Sequence, residues 1–153
     1  MKVIVMSDSH GKNSAIDKVI AKHPDAAYFI HCGDIETDEF VYPNLNIVAG
    51  NNDMYYNYPD FLQIKVGKIA ILVMHGHQSY YQNRLSYLAK KAIELNCDVV
   101  CYGHTHVAAV DECNGIQCIN PGSLWHSRDG RAPSYAILNI EDTVSVEIVF
   151  IKG

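Results

Sequence analysis

The chain of 153 residues carries 12 basic and 17 acidic side chains, a formal net charge of −5 with neutral histidines, and 48% hydrophobic residues. A chain of this length buries roughly two-thirds of its unfolded surface, so we expect residues 1–153 to form one domain. The acidic balance argues against general nucleic-acid binding, and the lack of a long apolar run argues against a membrane span.

Cysteine usage gives an expectation about the compartment. The cysteines are odd in number and fall mostly inside strand-like segments: Cys32, Cys97, Cys101, Cys113 and Cys118. This pattern favours buried, reduced thiols over a disulfide framework, although Cys113 and Cys118 flank a turn and could be cross-strand neighbours. Because no signal-peptide pattern opens the chain, we expect a cytoplasmic protein that does not bind membranes.

The N-terminal half alternates strand and helix patterns. The apolar runs at 2–6 and 26–30 are typical of strands buried on both faces. Between them Ile16, Val19 and Ile20 keep helical spacing up to Pro24, which predicts a β-α-β unit. A third such strand is predicted at 45–50.

The remaining segments predict hairpins around one more helix. The runs at 61–66 and 68–74 are joined by a turn at Gly67-Lys68, and a helix with one apolar face is predicted over 79–96. After a short strand at 98–102, two further hairpins turn at Asn114-Gly115 and Glu141-Asp142. The chain is therefore predicted to be α/β in front and β-rich behind.

Polar side chains follow the C-terminal ends of five predicted strands. They are Asp8, His10, Asp34, Asn51, His75, His104 and His106. Ligands bind at this edge in sheets with parallel strands, because the connecting loops converge there. Two carboxylates, one amide oxygen and four imidazoles describe a metal site rather than an apolar pocket.

The number of ligands predicts two metal ions. Seven groups are too many for one tetrahedral ion, but they suit two divalent ions that share a carboxylate, for which Asp34 after the Gly33 turn is the candidate. Mixed nitrogen and oxygen ligation favours manganese, iron, zinc or nickel, and we favour manganese. Taken alone, the Asp8 and Asp34 motifs could be turns or caps, and the His104–His106 pair could be hydrogen-bonded at the edge of the core. Only the shared order and placement of the motifs favour the metal site.

The ordered motifs SDSH, HCGD, GNND, MHGH and GHTH, followed by NPGS at 120–123, resemble the calcineurin-like metallophosphoesterases, especially the small bacterial and archaeal phosphodiesterases. The resemblance implies a two-sheet β-sandwich flanked by helices. It also implies one metal held by Asp8, His10, Asp34 and His106, and a second held by Asp34, Asn51, His75 and His104. A small phosphoester substrate is implied, and a homo-oligomer is an open possibility.

The chemistry expected of two such ions is hydrolysis of a phosphodiester. The ions would lower the pKa of a bridging water, and the resulting hydroxide would attack a small or nucleotide-like phosphodiester. With Asp8, Asp34 and that hydroxide, about one positive charge remains to attract a phosphodiester monoanion. A monoester dianion would also be attracted, so charge alone leaves both open.

The third motif departs from the family pattern. Many members carry a histidine that protonates the leaving group where this chain has Asn52. A general acid typically contributes a factor of about 100 to 10,000. We therefore take Asn52 and His77 as candidate catalytic and substrate-binding residues beside Asp34. His77 has an equal alternative as a residue that orients its loop.

Other polar residues have weaker functional interpretations. Arg128 could bind a substrate phosphate, and Trp125 and His126 could flank a base or aryl group, although solvated loop residues are the alternative. Asp53 is expected to orient a ligand, and His23 and His31 are expected to be structural. The alternative function is a protein-binding scaffold, because the similar retromer subunit serves protein assembly. Bound metals would not exclude this alternative, since metals can also be retained for folding.

Overall fold

The computed structural model describes residues 1–151, apart from the side chain of Tyr81. The chain forms two five-stranded sheets that pack face to face, with a helix on the outer face of each sheet. The helices are α1 (Asn13–Lys22) and α2 (Arg84–Glu94), and the strands are β1 (Lys2–Met6), β2 (Tyr28–His31), β3 (Leu45–Ile47), β4 (Phe61–Val66), β5 (Ile69–Met74), β6 (Val99–Cys101), β7 (Ala109–Cys113), β8 (Ile116–Asn120), β9 (Ser134–Ile140) and β10 (Val144–Phe150).

The first sheet has the order β10-β9-β1-β2-β3. Its parallel part is the predicted β-α-β unit, in which Val3 of β1 lies opposite Tyr28 of β2. On its other side Val3 lies opposite Leu138 of the antiparallel strand β9. β1 is therefore central, and its continuous apolar sequence is explained by burial on both faces.

The second sheet has the order β4-β5-β6-β8-β7. The β4–β5 and β7–β8 pairs are two of the three predicted hairpins, and the latter turns at Asn114 and Gly115, both of which have positive φ. The parallel strands β5, β6 and β8 form its centre. The carboxyl ends of β5 and β6 therefore lie at one edge of this sheet.

The core between the sheets is aliphatic. Val5, Ile30, Val73, Ile119 and Leu138 are fully buried there and come from both sheets. Two outer clusters attach the helices: Ile16 and Val19 of α1 pack on the first sheet, and Leu88, Ala89 and Ala92 of α2 pack on the second. These helix positions follow the predicted apolar periodicity.

Several boundaries differ from the sequence predictions. The second helix begins at Arg84 rather than at 79, because residues Tyr81–Asn83 form a 3-10 turn. β3 ends at Ile47, three residues before the predicted end. Within residues 1–151 no helix has the length and apolar character needed to cross a bilayer.

All five cysteines are free thiols. Cys113 lies opposite Ile116 and Cys118 lies opposite Asp111, so the two cysteines are not direct cross-strand partners. Burial raises the pKa of Cys101 to about 12 and that of Cys118 to about 11. The expectation of reduced thiols agrees with this arrangement.

Candidate metal centre

The seven predicted ligands meet at one end of the sandwich. Asp8, His10, Asp34 and Asn51 follow β1, β2 and β3 of the first sheet, whereas His75, His104 and His106 follow β5 and β6 of the second. The sequence placed them on a single sheet edge, but the structure divides them between two. The parallel strands of both sheets end at the same side, so the loops converge across the sheet interface.

The backbone is unusual at these positions. Five of the seven residues adopt left-handed φ angles: Asp8 (52°), His10 (47°), Asp34 (56°), His104 (73°) and His106 (61°). This region is uncommon for residues other than glycine, and its clustering is typical of functional sites held in place by their surroundings. Strand ends that turn in this way direct the side chains back over the end of the sandwich.

Asp8 places one oxygen in hydrogen bonds and directs the other toward the histidines. Its Oδ2 accepts hydrogen bonds from the Ser7 hydroxyl at 2.6 Å and the His104 amide at 3.0 Å. Its Oδ1 is buried without a hydrogen-bond partner in residues 1–151 and lies 3.3 Å from His106 Nε2. Burial acts to raise the pKa of Asp8, but His106, His75 and Ser7 outweigh it and the pKa is lowered. An ionised, unpartnered oxygen is what a cation requires.

Asp34 lies between two groups of imidazoles. Its Oδ2 is 3.3 Å from His75 Nε2 on one side and 4.0 Å from His10 Nε2 on the other. Burial acts to raise the pKa of this carboxyl, but His75 and the Asn52 amide lower it by more. The same contact with Asp34 outweighs burial at His75 and raises the pKa of its imidazole.

The histidines are held in one orientation by their outer nitrogens. The Nδ1–H groups donate to Glu36 from His10 (2.7 Å), to the Cys32 carbonyl from His75 (2.8 Å) and to the His126 carbonyl from His106 (2.8 Å). Each bond directs the Nε2 atom toward the carboxylates, the arrangement found around ligating histidines. His10 Nε2 and His106 Nε2 lie only 3.1 Å apart.

Asn51 connects the remaining two histidines. Its Oδ1 lies 3.1 Å from His75 Nε2 and 3.1 Å from His104 Nδ1. Burial and the neighbouring His75 lower the pKa of His104 to about 4, so its imidazole is neutral near pH 7. All seven predicted ligands are therefore brought together, with their donor atoms facing one another.

Three buried groups support the loops that carry these ligands. The Asp53 carboxylate accepts backbone N–H bonds from Asp34 (2.7 Å), Gly50 (2.8 Å) and Glu36 (2.9 Å). In the NPGS loop, the Asn120 amide donates to the Gly103 carbonyl and the Ser123 hydroxyl donates to the Asp8 carbonyl. Asp53 thus connects the backbone on both sides of Asp34 with the loop at Gly50.

His23 and His31, which we expected to be structural, make hydrogen bonds inside the fold. His23 Nε2 lies 2.8 Å from the Tyr135 hydroxyl. His31 bonds the Ser9 hydroxyl through one nitrogen and accepts the Gly33 amide through the other, so it connects the loops after β1 and β2. Burial lowers the pKa of His31 to about 3, which keeps it neutral.

The candidate substrate residues differ in their surroundings. Asn52 donates to both Asp34 oxygens, from its backbone at 2.8 Å and from its side chain at 3.2 Å. Half-buried His77 lies beside His75 with ring centroids 5.4 Å apart, and burial followed by the charge of His75 lowers its pKa. Arg128 is exposed and donates to the His104 carbonyl at 3.4 Å.

Glu36 and Ser123 were not singled out by the sequence analysis. Glu36 lies two residues after Asp34, but nothing in the spacing shows that it bonds His10. Ser123 was noted only as part of a motif, and the Asp8 carbonyl that it contacts is far away in sequence. Both contacts depend on tertiary structure.

Gly103 fits where another residue would not. A Cβ atom at this position would lie 2.0 Å from Ser7 Oγ and 2.6 Å from Asp8 Oδ2. The loop after β6 therefore approaches the end of β1 closely, which lets the His104 amide reach Asp8.

The two-sheet sandwich and this cluster of candidate ligands together are typical of α/β metalloproteins. The family model described as "Calcineurin-like phosphoesterase superfamily domain" matches residues 1–143. The chain therefore belongs to the calcineurin-like phosphoesterase superfamily, a metallophosphoesterase family whose two-sheet fold it shares, as predicted.

Individual relatives with similar sequences carry names that agree with this family. A probable metallophosphoesterase of Bacillus subtilis, YsnB, is 38% identical over 93% of this chain and 86% of its own length. A phosphodiesterase of Methanocaldococcus jannaschii is 32% identical over 97% and 99%. A solved structure of a predicted phosphoesterase from Streptococcus pneumoniae has a TM-score of 0.90 at 30% identity, over 97% of this chain and 88% of that one.

A second structural likeness concerns the fold alone. Zinc-bound Vps29 from Entamoeba histolytica has a TM-score of 0.73 at 23% identity, with 97% of this chain and 98% of that one covered. The predicted similarity in fold to the retromer subunit is confirmed by this match to Vps29.

Proposed function

We propose that this protein is a phosphodiesterase that depends on two divalent metal ions and hydrolyses a small or nucleotide-like phosphodiester. The observation that carries the proposal is the position of Asp34, whose Oδ2 faces His75 on one side and His10 on the other. A carboxylate between two groups of imidazoles suits a bridge between two ions. The metallophosphoesterase family and the M. jannaschii phosphodiesterase support the same activity.

The residues on each side of Asp34 fit the two ion sites. We assign one ion to Asp8, His10, Asp34 and His106, and the other to Asp34, Asn51, His75 and His104. The unpartnered Asp8 Oδ1 and the inward Nε2 atoms support the first site, and the contacts of Asn51 with two histidines support the second. Oxygen and nitrogen ligands without sulfur suit manganese, iron, zinc and nickel, and among these we favour manganese.

When bound, two such ions would activate water as a nucleophile and neutralise charge on the phosphoryl oxygens. The residues of the chain would position the ions and the substrate. Asn52 donates to both Asp34 oxygens through its backbone and side chain, so it would position the carboxylate that we assign to both ions. Overall, water adds to phosphorus and one P–O bond breaks, which yields a phosphomonoester and an alcohol.

The departing alcohol needs a proton, and His77 is the residue we assign to the phosphate or the leaving oxygen. Its Nδ1 is buried without a partner in the described part of the chain, and its ring lies 6.3 Å from that of His104. Arg128, which donates to the His104 carbonyl, is the second candidate for a phosphate contact. Charge leaves a monoester possible as well, and we favour a diester because the M. jannaschii relative is named a phosphodiesterase.

The test is hydrolysis of bis(p-nitrophenyl) phosphate by metal-stripped protein with and without added Mn²⁺. We expect turnover only with Mn²⁺, two bound ions per chain by elemental analysis, and loss of both activity and one ion in Asp34→Asn. The exposed Asp142→Asn variant is the matched control and should behave as the unmodified protein. Parallel assays with p-nitrophenyl phosphate measure the preference for diesters.

The outcomes separate the enzyme from the scaffold of the same fold. Protein that binds two ions and hydrolyses neither substrate would contradict the phosphodiesterase and favour a protein-binding role. Failure to bind more than one ion would contradict the dinuclear centre.

We further infer that residues 1–153 form one domain in the cytoplasm that does not coat nucleic acid. The interior cluster that joins both sheets supports one domain, and five free thiols support a reducing compartment.

A further inference from the structure

A groove begins beside the candidate metal centre and runs along α1. Its cavity of about 290 Å³ is lined by Lys12, Ser14, Ala15, Lys18, Val19 and Lys22 on one side and by Leu124, Trp125, Pro133, Tyr135 and Ile151 on the other. This volume lies at the lower end of the range for small-molecule sites. None of these residues belongs to the seven ligands.

Trp125 joins the groove to the centre. Its ring centroid is 5.1 Å from that of His10 and 6.2 Å from that of His106, both in edge-on arrangements. The side chain nevertheless keeps 44% of its surface exposed. An arm of a substrate bound at the centre would therefore meet this open indole first.

Three lysines line the far side of the groove. Lys12, Lys18 and Lys22 are exposed, and within residues 1–151 the lysine salt bridges are formed by Lys2 and Lys68 instead. From Lys12 to Lys22 the helix rises about 15 Å. A row of cations on an acidic protein is complementary to an anion, and its length suits more than one negative group.

The groove thus combines an aromatic wall next to the centre with cations farther along. A saturated chain would use the apolar wall but not the lysines, and inorganic phosphate would use the lysines but not the indole. A nucleotide offers both a flat base and phosphate charge.

We propose that this groove binds the nucleotide arm of the substrate, with the base against Trp125 and a further phosphate along Lys18 and Lys22. The inference rests on the proposed phosphodiesterase function and narrows its substrate class to small phosphodiesters of the dinucleotide type, in which a second phosphate lies beyond the scissile one.

The first test needs no catalysis, because Trp125 is the single tryptophan of the chain. Metal-stripped protein is titrated with adenosine 3′,5′-bisphosphate while tryptophan fluorescence is recorded. We expect saturable quenching, at least tenfold weaker binding of adenosine, pyrophosphate and hexyl phosphate, and about fivefold weaker binding of the bisphosphate to Lys18→Gln/Lys22→Gln. The control Lys65→Gln/Lys90→Gln removes the same charge from exposed positions outside the groove and should not change the affinity.

Several results would overturn the inference. They are the absence of quenching, equal binding of hexyl phosphate or adenosine, and equal weakening by the control pair. A ten-nucleotide strand that binds more than tenfold tighter than the bisphosphate would also overturn it, because the site would then belong to a nucleic-acid surface.

The second test uses Mn²⁺-loaded protein and compares a 5′-phosphorylated diadenosine dinucleotide with bis(p-nitrophenyl) phosphate. We expect Lys18→Gln/Lys22→Gln to lower the ratio of the two kcat/KM values about fivefold through a higher KM for the dinucleotide. An unchanged ratio would overturn the inference while leaving the phosphodiesterase intact. Inactivity toward both substrates, with quenching preserved, would contradict only the proposed function.

Discussion

The Ser123 hydroxyl donates a hydrogen bond of 2.7 Å to the backbone carbonyl of Asp8, a residue 115 positions earlier in the chain. The same oxygen accepts the backbone N–H groups of Trp125 and His126, both at 3.0 Å. One buried serine therefore fixes the end of β1 and begins the loop whose His126 carbonyl orients His106. Two of the candidate ligands depend on it.

Replacing this serine should loosen both ligands. In Ser123→Ala the buried Asp8 carbonyl and two amides lose their partner, and we expect about 2–3 kcal/mol lower free energy of unfolding. The measurements are urea unfolding of the metal-stripped protein and Mn²⁺ affinity by calorimetry. Ser145→Ala, at an exposed position on β10, is the control. Equal stability and affinity in the two variants would show that the bond to Asp8 is unimportant.

Asp53 gives a second prediction, because its carboxylate accepts three backbone N–H groups. The amide of Asp53→Asn keeps one acceptor oxygen and directs N–H groups at donors. We expect a loss of about 3 kcal/mol in unfolding free energy and weaker binding of the ion next to Asp34. Asp60→Asn, which is exposed, serves as the comparison in the same unfolding experiment. A loss below 1 kcal/mol for Asp53→Asn would contradict this role.

Glu36 is predicted to act on metal affinity through His10. Removing the acceptor in Glu36→Ala frees the imidazole to rotate or change tautomer, and such losses typically weaken metal binding about 10- to 100-fold. Glu36→Gln keeps an oxygen that can accept from Nδ1–H, so it should recover most of the affinity. Calorimetric titration of both variants with Mn²⁺ tests this order. The interpretation fails if the two substitutions weaken binding equally.

His31 predicts how stability depends on pH. Its pKa is lowered to about 3 in the folded protein, whereas the unfolded chain has an ordinary value near 6.5. Between these values the unfolded state binds one more proton at this site, so this contribution to stability is complete above pH 6.5 and is lost as the pH falls toward 3. The loss is about 1.4 kcal/mol per pH unit.

The check is a comparison of wild type and His31→Asn, which removes the titrating group. Unfolding free energies measured with chelator at several pH values from 7 to 4 should converge as the pH falls. Their difference should shrink by about 1.4 kcal/mol per unit below pH 6.5. Curves that stay parallel would show that His31 does not carry this dependence.

The strands and their ends could be predicted because they are local properties of the sequence. Apolar runs and turn residues located the hairpins at Gly67-Lys68 and Asn114-Gly115, and the polar residues after each strand gave the candidate ligands. The division of the strands between two sheets could not be derived from periodicity, which carries no information on long-range partners. The family resemblance supplied it.

The supporting contacts were less accessible to sequence reasoning. Glu36 and Ser123 bond groups that only the fold brings near them. The start of α2 was misplaced because Tyr81 keeps the helical spacing of Leu85 and Leu88, although the backbone at Tyr81–Asn83 forms a tighter 3-10 turn. Asn52 drew attention because it replaces the histidine of other family members. Its two hydrogen bonds to Asp34 could not be predicted from sequence spacing.

The position of β1 between β2 and β9 has a consequence for the order of events during synthesis. β1 is made first, yet one side of it stays unpaired until β9, whose Leu138 lies opposite Val3, has left the ribosome. The turn that carries Asp8 is likewise unsupported until Ser123 has been made. A nascent chain that already contains every candidate ligand would still lack the rigid frame for them, so metal uptake is expected to follow translation of the C-terminal hairpin rather than accompany it.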